Sequence, residues 1–317
     1  MSVGPDLTGM LVCPQCRCEL SWQADRISCT ACGADYPIID GIPVMLPDPQ
    51  LAHQDHSHGD HKGRQAAHFD HHLSDEIEIS RPHGAPPLHR WLLGEKFRRS
   101  IAGLEGLLPG ATVLTVCGGS GMDAEFLARK SAWVVSSDIS LGAAQRARCR
   151  AERFGVAITP LVADVERLPF PDAALDVVYA HDGLHHLEDP HLGIAEMARV
   201  AGKAISITEP ADAAVTKAAV RVGISEEIED SGNRVARLRP EAVVEALKET
   251  GFEIAHVERY AMFYRHHPGL PSRVLSVPGL FAAARLGMKV ANRTVGRWGN
   301  KLVVTARRVA EGPGPSR

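Results

Sequence analysis

The 317 residues, 44% hydrophobic and with a net charge of −3, can hold one large domain and a small one. They exclude a whole-molecule polyanion binder, though not a local cationic patch. The opening MSVGPDLTGMLVCPQC has neither a basic nor an apolar leader region, and the apolar residues 274–290 are broken by Pro278, Arg285 and Lys289. Neither a signal peptide nor a membrane span is expected. Seven cysteines, four of them in two CxxC pairs, fit a reducing compartment and a metal better than disulfides. The expected location is the cytoplasm.

Residues 1–50 read as a zinc ribbon. Cys13 and Cys16 form one knuckle, Cys29 and Cys32 a second, twelve residues apart. Each tight turn offers two thiolates, and two such turns make a closed tetrahedral S₄ site with no position left for catalysis. So short a segment buries little core, and a structural Zn²⁺ would supply the missing stability. Cys18 falls at the wrong spacing and is a spectator. LSW and RIS suggest one hairpin, and YPIIDGIPVML suggests two strands around an Asp-Gly turn.

Residues 51–84 form a His-rich linker. Seven histidines lie between His53 and His72 without apolar period, the mark of a flexible connection. His56, His58 and His61 could hold a metal, or simply be solvated. Beyond Pro87, residues Leu88, Trp91, Leu92, Phe97, Ile101, Leu104 and Leu108 recur at helical spacing. One helix is expected there, with a break near Gly94, beside the cofactor mouth.

Residues 113–138 are the centre of the chain. An apolar strand, the turn Gly118, Gly119 and Gly121, a helix from Met122 and a second strand ending at Asp138 make a nucleoside-cofactor unit. The glycines admit close backbone approach, and a carboxylate at Asp138 can take both ribose hydroxyls. The same glycines also fit the dinucleotide fingerprint. A third strand ends at Asp164, placed to accept an adenine amine. Further strands at 175–180 and 204–208, with a helix at 191–200 between them, continue the βα alternation of a doubly wound parallel sheet. Two acids and no second nucleotide half describe one adenosine, which disfavours NAD.

With VLTVCGGSG, the acid of SSDIS, ADVERLPF and DVVYAHDGLHHLEDP, residues 85–309, within an expected domain of residues 85–317, resemble a class I S-adenosylmethionine-dependent methyltransferase. The LHHL-x-DP version is similar to enzymes acting on quinones, lipids and other small metabolites. The resemblance implies a Rossmann-like seven-stranded sheet with an antiparallel last strand, supplied by FEIAHVERYAMF and KLVVTARRV. It implies that Cys117, Gly118, Gly119 and Gly121 line the methionine part of the cofactor and that Asp138 holds the ribose. Ile139, Asp164 and Val165 then surround the adenine, and His181 faces the methionine end. Thr115 and Cys117 depart from the family's usual acid and glycine. Residues 8–49 resemble the small zinc-ribbon partner subunits of tRNA and protein methyltransferases, which implies a docking or stabilising module.

Positioning does most of the work in methyl transfer, and a base is needed only where the acceptor must lose a proton. His185 is the candidate base, Glu209 stands beside it beyond the fifth strand, and Asp182 could orient His181 or His185. Residues 211–239 and 265–299 are candidate substrate lids. Between residues 259 and 308 ten Lys or Arg occur and no acid, so RNA, a phospholipid surface or an anionic small molecule could meet that segment. The expectation is methylation of a small-molecule acceptor. The alternatives are an RNA methyltransferase held by ribbon and basic block, and a non-catalytic module that binds the cofactor or a partner methyltransferase.

Overall fold

The computed structural model describes residues 6–47, 61–70, 75–213, 238–264 and 267–309. His56 and His58, and most of the 211–239 insertion, lie outside them.

The ribbon is built as its turns dictate. Strands β1 (Leu20–Trp22) and β2 (Arg26–Cys29) form the first hairpin, and β3 (Asp35–Ile39) and β4 (Ile42–Met45) the second. Asp40 and Gly41 both have positive φ, the conformation a two-residue hairpin turn of matching twist requires. All four residues of β4 are buried. That pattern suits an interior strand rather than an edge.

The larger unit alternates as expected. It runs α1 (His61–Asp70), α2 (Asp75–Ser80), α3 (Pro87–Ser100), β5 (Thr112–Val116), α4 (Met122–Ala128), β6 (Trp133–Asp138), α5 (Leu141–Phe154), β7 (Ile158–Ala163), β8 (Leu175–His181), α6 (Pro190–Val200) and β9 (Ala201–Pro210). After residues 214–237 come α7 (Pro240–Glu249), β10 (Phe252–Tyr260), α8 (Leu270–Val274), α9 (Pro278–Val295) and β11 (Lys301–Arg308). Strands β5 to β9 run parallel, and β11 enters antiparallel between β9 and β10.

Three expectations need correction. The sheet has eleven strands, not seven, in the order β1-β2-β3-β4-β7-β6-β5-β8-β9-β11-β10. The last seven of these are the expected sheet, and the ribbon extends it because β4 pairs in parallel with β7 through Val44–Val162 and Met45–Ala163. The helix after Pro87 ends at Ser100 and runs unbroken through Gly94, since a lone glycine costs a helix only about 1 kcal/mol. The segment called a linker contains α1 and α2, both packed on the larger unit. Asp70 accepts hydrogen bonds from the Gly142 amide (2.8 Å) and the Ser140 hydroxyl (2.6 Å) at the start of α5. Arg146 donates to the Phe69 carbonyl (2.5 Å). Polar contacts hold α1 in place, so an apolar period does not reveal it.

One core cluster runs from Leu7, Leu11, Ile27 and Tyr36 of the ribbon into Val165, Leu168 and Phe170 and on through α6 and β9. A smaller one joins Ile42, Val44 and Leu46 to Ala144 and Val162, with Ile139 packed against it. The ribbon is thus seated in cis on the edge strand beside Asp138 and Asp164.

Candidate functional site

The strand order brings the C-terminal ends of β7, β6, β5 and β8 side by side, where ligands bind in open α/β sheets. Between β5 and α4 the chain turns through Cys117, Gly119 and Gly121, all with positive φ. Gly118 has no room for a side chain. A Cβ there would lie 2.6 Å from Ser136 Oγ and 2.9 Å from Thr115 Oγ1. Those hydroxyls hydrogen-bond each other at 3.1 Å, so Thr115 ties β5 to β6 where the family's usual acid would stand. Arg150 donates to the Ser120 carbonyl (2.8 Å) and pairs with Glu125 at 2.8 Å, both side chains buried. The glycine turn is therefore braced from behind.

Asp138 closes β6 and accepts from the amides of Gly119 (2.9 Å) and Ser140 (3.0 Å). Burial raises its pKa, against the pull of those two amides. Asp164 accepts from Lys62 of α1 (2.6 Å) and from the Glu166 amide (3.0 Å). Lys62 also pairs with Glu166 at 2.5 Å, and His61 donates to the His186 carbonyl at 2.7 Å. Helix α1 thus lies across the end of β7 and the loop after β8. Val165 is buried in the main core, while Ile139 packs on the ribbon's Ile42 and Val44.

At the end of β8 the chain places two His–carboxylate pairs. His181 Nδ1 lies 2.8 Å from Asp123 Oδ1 in the first turn of α4, with the Tyr179 hydroxyl 3.0 Å away. With its Nδ1 proton directed at the carboxylate, a neutral ring would carry its lone pair on Nε2. That Nε2 is buried and has no hydrogen-bond partner among the described residues. Burial tends to raise the Asp123 pKa, but His181 and Lys96 outweigh it and hold the carboxyl below its ordinary value.

The second pair is His185 Nδ1 and Glu209 Oε2, at 2.7 Å. Glu209 is wholly buried, and its other oxygen accepts from the amides of Gly183 (2.9 Å) and Leu184 (2.7 Å). Burial works against its charge, yet His185 and the Gly183 amide keep its pKa below the usual range. With both oxygens so engaged, Glu209 braces the loop after β8.

Asp182 orients neither histidine through a hydrogen bond to the ring. It sits at positive φ and takes Lys301 of β11 (2.9 and 3.0 Å) and the buried Lys96 of α3. Burial would raise its pKa, but the two ammonium groups hold it far below the ordinary value. Lys96 also donates to the Tyr264 hydroxyl at 2.8 Å. The lysines were missed in the sequence, although Lys96 lies on the stripe Leu88–Leu92–Lys96–Ser100, where a charge signals a buried partner.

In the ribbon, the thiol sulfurs of Cys13, Cys16, Cys29 and Cys32 all lie within 4.8 Å of one another. Cys13–Cys32 is 3.7 Å and Cys16–Cys29 3.4 Å. A tetrahedron with ~2.3 Å zinc–sulfur bonds has edges of ~3.8 Å, so the four atoms fit one. The amides of Cys32 and Ala31 point at Cys29 Sγ and lower its pKa, against burial, to about 6. Cys18 stands outside the cluster, its thiol turned to the Cys16 carbonyl.

Residues 114–204 match the family described as a methyltransferase domain. Demethylmenaquinone methyltransferase of Mycobacterium sp. (strain KMS) is 34% identical over 104 residues, covering 33% of this chain and 43% of that protein. Ubiquinone/menaquinone biosynthesis C-methyltransferase of Bordetella parapertussis is 29% identical over 142 residues, 44% of this chain and 53% of that protein. The chain spans about half the length of the curated relatives it matches. Magnesium protoporphyrin IX methyltransferase from Synechocystis PCC 6803 with bound SAH superposes with a TM-score of 0.53 at 18% identity, covering 79% of this chain and all (100%) of that one. Residues 114–204 therefore match a methyltransferase domain, and the chain adopts the corresponding fold. Among the described residues no helix is long and apolar enough to cross a membrane.

Proposed function

We propose that the chain transfers a methyl group from S-adenosylmethionine to a small, hydroxylated aromatic acceptor of quinol type. The observation that carries this reading is the convergence of Gly118, Asp138, Asp164 and His181 on the ends of four adjacent parallel strands. When bound, the cofactor supplies an electrophilic sulfonium methyl. In our reading Cys117, Gly118, Gly119 and Gly121 receive its methionine part by backbone approach. Asp138 holds the ribose hydroxyls, and Ile139, Asp164 and Val165 bound the adenine. His181 stands at the methionine end, and its buried Nε2, unpartnered among the described residues, is left for the acceptor.

Carbon methylation of a quinol needs its hydroxyl proton removed as the ring carbon takes the methyl and the sulfur–methyl bond breaks to leave the neutral thioether. The C–H proton of that carbon then departs and the hydroxyl is restored. The sequence selects His185, with Glu209, to take the hydroxyl proton. We assign proton removal instead to His181 Nε2, because Asp123 fixes its tautomer and stabilises the imidazolium that forms. His185 and Glu209 then hold the loop beside it. The matching quinone methyltransferases support the acceptor class. The four-cysteine cluster supports a structural Zn²⁺, whose work is to fix the strand β4 that backs Ile139 and Asp164. Residues 1–50, 51–84 and 85–317 then serve as ribbon, covering segment and catalytic unit.

The test is methyl transfer from radiolabelled S-adenosylmethionine to a reduced naphthoquinone lacking the ring methyl. His181→Asn should lower kcat by roughly 10²–10⁴-fold with cofactor affinity held within a few fold, while His185→Asn should lower it far less. Asp138→Ala should weaken cofactor binding by about 1.5–3 kcal/mol in calorimetry. No cofactor binding by the purified chain would favour a non-catalytic module, and label that disappears with RNase would favour an RNA substrate.

A further inference from the structure

The cover helix α9 is apolar on two opposite faces. Its inner face, Phe281, Ala284 and Met288, packs on a cluster of Leu88, Leu92, Tyr260, Met262 and Val303. Leu286 and Val290 follow Ala284 and Met288 by two positions, about 200° round the helix. They lie on the side farthest from the protein and are 64% and 52% exposed. None of the 18 residues of α9 is buried. A solvated cover helix would put polar residues there. The preceding stretch continues the pattern, with Leu270 at 73% exposure and Val274, Leu275 and Val277 exposed beside it.

The segment itself carries charge of one sign, while Glu95 of the neighbouring α3 lies close enough to Lys289 to feel its charge. Arg273, Lys289, Arg293 and Arg297 are exposed, and residues 259–308 contain no Asp or Glu between their ten cations. An occupant must therefore be anionic and must also accept aliphatic side chains. A second copy of the same face would bring cation against cation. Single-stranded nucleic acid binds through a row of aromatic platforms, whereas the exposed apolar residues here are mainly leucine and valine, with Trp298 the exposed aromatic that follows α9. An anionic phospholipid surface meets both demands, taking the apolar side chains at the acyl boundary and the cations at the head groups.

We propose that α8 and α9 seat this protein on an anionic bilayer surface, with Leu270, Leu286 and Val290 entering the acyl boundary and Arg273, Lys289 and Arg293 meeting phosphates. Beneath α9 lies α3, through which Lys96 reaches Asp182 at the end of β8. Docking would set the acceptor side of the site against the lipid and let an amphiphilic acceptor pass without crossing water. The docking itself is independent of the quinol reading.

The test is co-sedimentation of the full chain with vesicles of phosphatidylcholine alone and of phosphatidylcholine mixed equally with phosphatidylglycerol, at low and high salt. Binding is expected only to the mixed vesicles and should weaken with salt. The double variant Leu286→Glu/Val290→Glu should abolish it. Lys289→Gln/Arg293→Gln should weaken it roughly 30-fold, at about fivefold for each cation. Unchanged melting temperatures will show that the variants remain folded. No binding to either vesicle, or full binding by the Glu variant, overturns the proposal. So does a concentration-dependent dimer that Leu286→Glu dissolves, because the face would then belong to a second copy. RNA binding that both double variants abolish would overturn it as well. Because the readout is binding, an inactive enzyme that still docks separates this proposal from the assigned reaction.

Discussion

The sheet receives an added piece at each side, and the two are attached by different physics. At the β7 edge the ribbon contributes a strand that is buried throughout, shares backbone hydrogen bonds with β7 and joins the main core. At the β11–β10 side, α9 rests on one apolar cluster and leaves its other apolar face uncovered. An element that completes the sheet behaves as part of the fold. One that only leans on it remains free to meet something else. In the proposed function the ribbon edge lies under the adenosine end, which must keep its shape, and the α9 side lies over the acceptor end, which must admit a substrate.

The largest expected effect breaks the first attachment. Cys29→Ser with Cys32→Ser removes two of the four proposed ligands, and structural zinc contributes on the order of 10 kcal/mol in such modules. Because ribbon and catalytic core share one cluster, the whole chain should melt lower, and a chelator should do the same to the unaltered protein. Metal analysis should fall from one zinc per chain to none. A ribbon that lost its metal while the rest melted unchanged would show two independent units.

A smaller loss is expected behind the glycine turn. Arg150→Met leaves Glu125 buried with only the exposed side chains of Arg129 and His83 to face. Removing one partner of a buried pair costs about 3–5 kcal/mol. Urea unfolding should show the loss, and cofactor affinity should fall with it because Ser120 loses its anchor. This pair also marks where the sequence was legible and where it was not. The βα alternation, Gly118, Asp138 and both cysteine knuckles follow local rules of period, turn and spacing. Arg150 and Lys96 look like ordinary helix-surface cations until the apolar stripes they occupy are counted. Lys62 carries no such signal, because α1 is placed by Asp70, Lys62 and Arg146 across long stretches of chain. Polar, non-local contacts leave no period behind.

The carboxylates around the end of β8 also set a pH dependence. Asp123, Asp182 and Glu209 are held below their ordinary values in the folded chain, each against burial, by His181, Lys301 and His185 respectively. On acidification the unfolded chain binds protons first, so stability is present above about pH 4 and lost as pH falls through that range and below. Asp138, raised by burial, works in the opposite sense, and its share is lost as pH rises through its folded value. With Glu76, Glu95, Glu125, Asp172 and Asp176 also held low by basic partners, the lowered carboxyls outweigh Asp138 and predict a melting temperature that falls between about pH 5 and pH 3. Asp182→Asn should flatten that slope while lowering stability at neutral pH, because Lys96 and Lys301 lose their counter-ion. An unchanged slope would mean that the Asp182 cluster does not govern acid unfolding.

The smallest effect sharpens the contrast best. Leu286→Glu changes an outer residue of α9 that touches no core cluster, so stability should move by less than about 0.5 kcal/mol. Met288→Glu, two residues on, turns a charge into the cluster of Leu92, Tyr260 and Val303 and should cost about 2 kcal/mol or more. Urea midpoints measured on both variants decide the matter. If Leu286→Glu proved as damaging as Met288→Glu, the outer face would already be covered within the chain, and its exposed leucine and valine would need no lipid. If only Met288→Glu destabilises, α9 is a one-sided cover whose second apolar face serves no purpose in folding.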